Sequence, residues 1–231
     1  DGADVVVAGP DRGEVEAVAA EIEAMGRRGL AVVADVTCEE QVEAMATQAR
    51  QTLGRIDMLV NNAGIIGPTV PVVNLRRADW DEVLAVNLTG AMLCCRAVLP
   101  GMIERRSGRI VNISSIAGKI GYSLRSPYAV SKWGLLGLTL TLAKEVAPYN
   151  VQVNAVCPGP VAGERMRGII ARRAAELGKP IEEVEREYVE TTALKRFVDA
   201  EDVAAAVAFL ASPAGRNITG QTIDVTAGYG L

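Results

Sequence analysis

Tyr128 and Lys132 stand four residues apart in a predicted helix that begins at Pro127 and runs to about Ala147. On a helix that spacing puts both side chains on one face, ~6 Å apart along the axis. A tyrosine phenol ionises near 10, and a lysine ammonium held close favours the phenolate by about one unit or more. Such a phenol can give and take a proton near neutral pH. Alone, the pair reads equally well as a surface Tyr/Lys pair. Ser115 changes that reading: thirteen residues before Tyr128, at the end of a predicted strand, its hydroxyl can hydrogen-bond the same substrate oxygen.

No other side chain offers the usual alternative, because the 231 residues contain no histidine. That excludes a Ser-His-Asp triad, an HExxH zinc site and any imidazole acid/base, and no metal site is expected. The 24 basic and 28 acidic residues leave a net charge of −4, which argues against a nucleic-acid surface. No apolar run approaches ~18 residues, so no membrane span is expected. Cys38, Cys94, Cys95 and Cys157 show no CxxC spacing and read as buried free thiols of a cytoplasmic protein.

The elements that must position these groups follow from apolar periodicity. A strand at 4–9 leads to a helix at 12–26, which Gly26 and Gly29 stop before a second strand at Leu30–Ala34. Thr37 with Glu40 reads as a capping box opening a helix that carries Val42, Met45, Ala46, Ala49 and Leu53 on one face. Ile56–Val60 is a strand, Trp80–Val86 and Ala91–Ile103 are helices, and Arg109–Ile113 and Val151–Val156 are strands. Asp199 caps a further helix before a last strand at Gln221–Val225. Strands that are continuous apolar runs, alternating with helices, define a single α/β domain with a doubly wound parallel sheet. Residues 164–198, helical and highly charged, read as a substrate lid.

In such a sheet, ligands bind beyond the carboxyl ends of the strands. Those ends are Ala34-Asp35-Val36, Asn61-Asn62-Ala63-Gly64, Ser114-Ser115 and Cys157-Pro158-Gly159-Pro160-Val161. All are polar or glycine-containing turns on one rim.

Asn61-Asn62-Ala63-Gly64, Val86-Asn87-Leu88, Ser115, Tyr128-x-x-x-Lys132 and Pro158-Gly159 occur in the order and spacing of the short-chain dehydrogenase/reductase family. The chain resembles that family over essentially its whole length, and most nearly its 3-oxoacyl-carrier-protein reductase-like members. The resemblance implies a Rossmann-type fold and hydride transfer between a nicotinamide cofactor and a carbonyl or secondary alcohol. It also implies the roles. Tyr128 would be the acid/base, and Lys132 would lower its pKa and bind the nicotinamide ribose. Ser115 would polarise the carbonyl, and Asn87 would hold a water in a proton relay. Asn61, Ala63 and Gly64 would line the adenosine side, while Asp35, with Val36 beside it, would meet the adenine. Pro158, Gly159 and Val161 would pack on the nicotinamide.

Three departures from the family pattern carry expectations of their own. The family's first strand, its glycine-rich pyrophosphate turn and the helix after it do not precede Asp1. They are expected as a preceding segment, with that strand between those at 4–9 and 56–60. An intact mass above 24.4 kDa would test this, and the chain starting at Asp1 should by itself bind dinucleotide poorly. After the strand at 4–9 stands Gly9-Pro10-Asp11-Arg12, where Arg12 could meet a 2′-phosphate and Asp11 would repel one, so the cofactor is NADP or NAD with a lean to NADP. Gly163 occupies a position where the family often has threonine.

Glu164, Arg165 and Arg167 read as a solvated lid face, with Arg165 able to meet an acidic substrate. Tyr229 either closes the pocket or packs on a neighbouring subunit. The resemblance implies a homotetramer or homodimer through helices at 91–105 and 128–147. Two other readings are a catalytically inactive binding scaffold and a sugar-nucleotide epimerase/dehydratase relative.

Overall fold

The computed structural model describes residues 2–231. Six parallel strands alternate with eight α-helices among these residues. β1 (Val5–Gly9) and β2 (Gly29–Val33) are joined by α1 (Arg12–Ala24), and α2 (Glu39–Leu53) leads to β3 (Met58–Asn61). Helix α3 (Arg77–Leu84) runs through a π turn (Ala85–Thr89) into α4 (Gly90–Glu104). Then come β4 (Gly108–Ile113), α5 (Ser126–Val146), β5 (Val151–Pro158), the lid helices α6 (Glu164–Leu177) and α7 (Ile181–Glu190), α8 (Ala200–Ala211) and β6 (Thr222–Val225).

The hydrogen-bonded order is β1-β2 in one sheet and β3-β4-β5-β6 in the other. β1 and β3, the strands between which a further strand is expected, each end a sheet as an edge. Val5 and Val60 on them remain 37% and 40% exposed.

The continuous apolar runs have their explanation in β4 and β5. Ile110, Val151 and Val153 pack with Val98 and Met102 of α4 and Val146 of α5 on one face. Val111 and Val156 pack with Leu210 of α8 on the other. Successive side chains of a strand point to opposite faces, so a strand covered on both must be apolar at every position.

Two local readings are corrected. Gly29 belongs to β2, not to a break before it: a Cβ there would lie 2.3 Å from the Ala19 carbonyl oxygen, so its bare backbone lets α1 cross the strand. The Thr37/Glu40 capping box does not form, and α2 starts after Cys38 with no side-chain cap. The Asp35 carboxylate takes Thr37 instead, accepting from its N–H and its hydroxyl at 2.8 Å each, a competing local turn. The Asp199 cap does form, reciprocally with Asp202.

Helix Arg77–Glu104 is continuous through the π turn, where two helices are expected, because that turn keeps the backbone helical between them. At 28 residues it is long and apolar enough to cross a membrane by length and composition; Leu93, Cys94, Ala97 and Val98 of its second half are core residues.

Candidate active site

The carboxyl ends of β3, β4 and β5 and the first turns of α5 bring the candidate residues together. Asn87 lies inside the π turn, a single wide turn of the kind found where a helix must re-aim a side chain. It is 1% exposed, and its amide closes on Ile65, just past the β3 turn: Oδ1 accepts from the Ile65 N–H at 2.8 Å and Nδ2 donates to the Ile65 carbonyl at 2.9 Å. The same Nδ2 donates to Ser131 Oγ at 3.0 Å, and Ser131 donates to the Tyr128 carbonyl at 2.8 Å. Asn87 thereby ties the β3 turn to the helix that carries Tyr128 and Lys132.

Lys132 is 4% exposed, and its Nζ donates to the Ile113 carbonyl at the end of β4 at 2.8 Å. The ammonium sits over the Tyr128 ring, 5.8 Å from its centroid. Burial, helped by the Arg165 cation, lowers the Lys132 pKa to about 8. Burial also pushes the Tyr128 phenol up; the Ser115 hydroxyl, then the Arg165 and Arg125 cations, oppose it. Spacing assigns the lowering of the phenol to Lys132, but in the folded site burial raises it and the cations that oppose this are Arg165 and Arg125, not Lys132.

Ser115 is the N-cap of a short 3₁₀ turn, accepting from Ala117 N–H at 3.2 Å. Its neighbour Ser114 is buried and donates to the Lys132 carbonyl at 3.0 Å, a structural bond between β4 and α5.

Gly64 lies against this group. A Cβ there would come 3.3 Å from Asn87 Oδ1 and 3.5 Å from Lys132 Nζ. Asn62 and Ala63 are exposed on the rim. The Asn61 side chain turns the other way, into the core, where Nδ2 donates to Asn112 Oδ1 at 2.8 Å, so only its backbone faces the crevice. Asp35 is exposed at the end of β2, holding Thr37 as described, and Val36 packs on Gly90 at the start of α4. Arg12 projects into solvent from the first turn of α1, paired with Glu16 at 3.2 Å, while Asp11 caps that helix by accepting from Glu14 N–H at 3.0 Å.

Pro158 ends β5, two residues further than the apolar run suggests, and Gly159 closes so near Thr226 that a Cβ would lie 2.8 Å from its Cα. Val161 bridges to Val198, which seats both ends of the lid. Gly163 has φ +131°, a backbone region essentially closed to residues with a side chain, so threonine would be strained there.

The lid has a small core of its own, Met166, Ile170, Ala174, Val184 and Tyr188, against which Tyr229 packs. It reaches the site at two points. Arg165 donates to the Gly64 carbonyl at 3.2 Å, and the Tyr188 and Tyr122 hydroxyls are 3.1 Å apart.

Ser131 and Arg125 were not legible as site residues. Ser131 has a weak signal, a hydroxyl inside an apolar helix next to Lys132. Arg125 has none, since arginine is by default exposed.

A parallel sheet covered on both faces, with a tyrosine, a lysine and a serine converging beyond its strand ends, defines a nicotinamide-dependent oxidoreductase of the Rossmann type. The described donors suit that cofactor: a buried ammonium, a side-chain-free turn at Gly64 beside it, and the Pro158-Gly159 end of β5. Residues 1–230 match the family model described as Enoyl-(Acyl carrier protein) reductase. A 3-oxoacyl-[acyl-carrier-protein] reductase of Synechocystis sp. is 39% identical over 214 residues, 92% of this chain and 81% of that protein. The crystal structure of NAD+-bound xylitol dehydrogenase superposes with a TM-score of 0.94 at 30% identity, covering 97% of this chain and 88% of the other. That of a variant actinorhodin polyketide ketoreductase with NADPH gives 0.93 at 32% identity, covering 98% and 87%.

The chain belongs to the short-chain dehydrogenase/reductase family. It is an NAD(P)-dependent oxidoreductase that transfers hydride between a nicotinamide and a carbonyl or secondary alcohol.

Proposed function

We propose that Tyr128 is the acid/base of a ketone or secondary-alcohol oxidoreductase. The observation that carries this reading is the convergence of Tyr128, Ser115 and Lys132 at the ends of β4 and α5, with cations opposing the burial of the phenol. When bound, the nicotinamide supplies or accepts the hydride. The protein supplies the rest. In the reducing direction the Tyr128 phenol gives its proton to the substrate oxygen, and in the oxidising direction the phenolate takes it back. Ser115 donates to the same oxygen and fixes its position. Lys132, held by the Ile113 carbonyl, presents its remaining N–H groups to the ribose hydroxyls. Asn87 keeps the β3 turn and α5 in register and has a place in the proton path to Lys132.

Asn61, Ala63 and Gly64 hold the adenosine side, Asp35 and Val36 the adenine, and Pro158, Gly159 and Val161 the nicotinamide side. Arg12, exposed and paired only with Glu16 of its own helix, suits a 2′-phosphate, which supports NADP over NAD.

The relatives named above act on acyl, polyketide and sugar-alcohol substrates by their descriptions, which supports a carbonyl/alcohol class without selecting one substrate. The lid α6–α7 covers that substrate. Val130, Trp133 and Leu140 of α5 and Met92 of α4 are exposed apolar side chains on the two helices expected at a subunit interface, which supports a homodimer or homotetramer. All four cysteines are free thiols, in keeping with a reducing cytoplasm.

Titration with NADH and NADPH, followed by rate measurements on a panel of ketones and secondary alcohols, tests the reading. Turnover of at least one member with either nucleotide is expected. Nucleotide binding with no turnover across the panel would count against it.

A further inference from the structure

Arg125 is the N-cap residue of α5, one helical turn before Tyr128, and is 1% exposed. Its Nε and Nη2 are buried without a hydrogen-bond partner among the described residues. The guanidinium lies 5.7 Å from the centroid of the Tyr122 ring, the tyrosine whose hydroxyl meets Tyr188 of the lid. Arg173 of the lid stands 5.8 Å from the Tyr188 ring centroid, and Arg165 reaches the Gly64 carbonyl from the other side. The ionisable groups acting on Arg125 are Tyr122, Tyr188, Arg172 and Arg173, and none is a carboxylate. Those acting on Tyr128 and Lys132 include Arg165 and Arg125, and again no carboxylate.

A buried guanidinium without a partner is costly, and the nearby Arg172 and Arg173 cations make it costlier. The residue before it, Leu124, is held at φ +65°, a conformation a bulky residue rarely adopts, and its carbonyl accepts from the Val70 N–H at 2.9 Å. The segment is therefore built to keep Arg125 where it is.

We propose that Arg125 is a specificity-determining residue that binds an anionic group, carboxylate or phosphate, on the carbonyl or alcohol substrate. This rests on the oxidoreductase reading above and extends it to the substrate. An anion on the substrate supplies the missing partner for Nε and Nη2 in the fork geometry that guanidinium shares with both oxyanions. Arg125 lies one turn from Tyr128, so the substrate is short, with its anion a few bonds from the reacting carbon. Arg165 and Arg173, brought by the lid, complete the positive cleft as it closes.

Matched pairs decide it. Initial rates are measured with acetoacetate against methyl acetoacetate, and with dihydroxyacetone phosphate against dihydroxyacetone, for the native protein, Arg125→Gln and Arg125→Lys. The native protein should favour one anionic member by about tenfold or more in kcat/KM. The preferred pair tells carboxylate from phosphate. Arg125→Gln should lose that preference, with the anionic member falling more than the neutral one and mainly through KM, and Arg125→Lys should recover part of it. Equal rates on charged and neutral members of both pairs overturn the proposal, as does an equal loss on both in Arg125→Gln.

Thermal shift with acetoacetate and with inorganic phosphate reads the site without turnover. A shift in the native protein that Arg125→Gln lacks upholds the anion site even if no substrate turns over, and the oxidoreductase reading then falls alone. No shift, with no charge preference in the native protein, overturns the anion site whether or not the variants fold.

Discussion

Asn87 and Ile65 are joined at both ends: the Asn87 amide accepts from the Ile65 N–H at 2.8 Å and donates to its carbonyl at 2.9 Å. One side chain in a π turn thus takes the place of a paired strand for the residue just beyond β3. Its second donor bond, to Ser131, carries that restraint to the helix bearing Tyr128 and Lys132.

Replacing Asn87 by alanine strands the Ile65 N–H and carbonyl and leaves the Ser131 hydroxyl with only its bond to the Tyr128 carbonyl. Each such group costs about 1–3 kcal/mol, so Asn87→Ala should lower unfolding stability in urea by about 2 kcal/mol or more and depress turnover with it. Native stability in this variant would show that the Ile65 clamp is not structural.

Tyr128→Phe removes the only proton the phenol can exchange while keeping the ring against the Lys132 ammonium. Turnover should fall by about a hundredfold or more, with thermal stability and nucleotide binding close to native. Retained activity would take the proton step away from Tyr128.

Burial disfavours the Lys132 ammonium and lowers its pKa from the ordinary lysine value near 10.5 to about 8 in the folded protein. Below pH 8 the folded state carries the buried charge and its full penalty, about 3 kcal/mol. Between pH 8 and 10.5 the folded protein gives up the proton while the unfolded chain keeps it, so this group's contribution to stability rises with pH. Lys132→Met should therefore be more stable relative to the native protein at pH 7 than at pH 10, as read by urea unfolding at both. A gap independent of pH would contradict a lowered Lys132 pKa.

Arg12 is 73% exposed at its side chain and is held only by Glu16 on its own helix. Arg12→Ala should weaken NADPH by about tenfold and leave NADH within about twofold, as measured by fluorescence titration. An equal effect on both nucleotides would remove Arg12 from the 2′-phosphate.

Much of this was legible beforehand where the physics is local. The Asp199 cap was readable because donor and acceptor are three residues apart, and Pro127 marked the start of α5 because its missing N–H costs nothing there. The Thr37/Glu40 box was not, because Asp35 competes for the same groups from two residues away. Gly29 looked like a break because glycine's absence of a side chain can serve a turn or a crossing, and only the path of α1 distinguishes them.

The sequence by itself determined the α/β class and the Tyr128–Lys132 pair. Both depend on periodicity and on spacings of a few residues along one element. The tertiary structure alone decided which groups surround that pair. Arg165 arrives from the lid, Asn87 from a π turn, and Arg125 goes inward although arginine ordinarily stays in water. Burial and long-range electrostatics belong to positions in space, and residues distant in the chain acquire them only when the strands and helices pack.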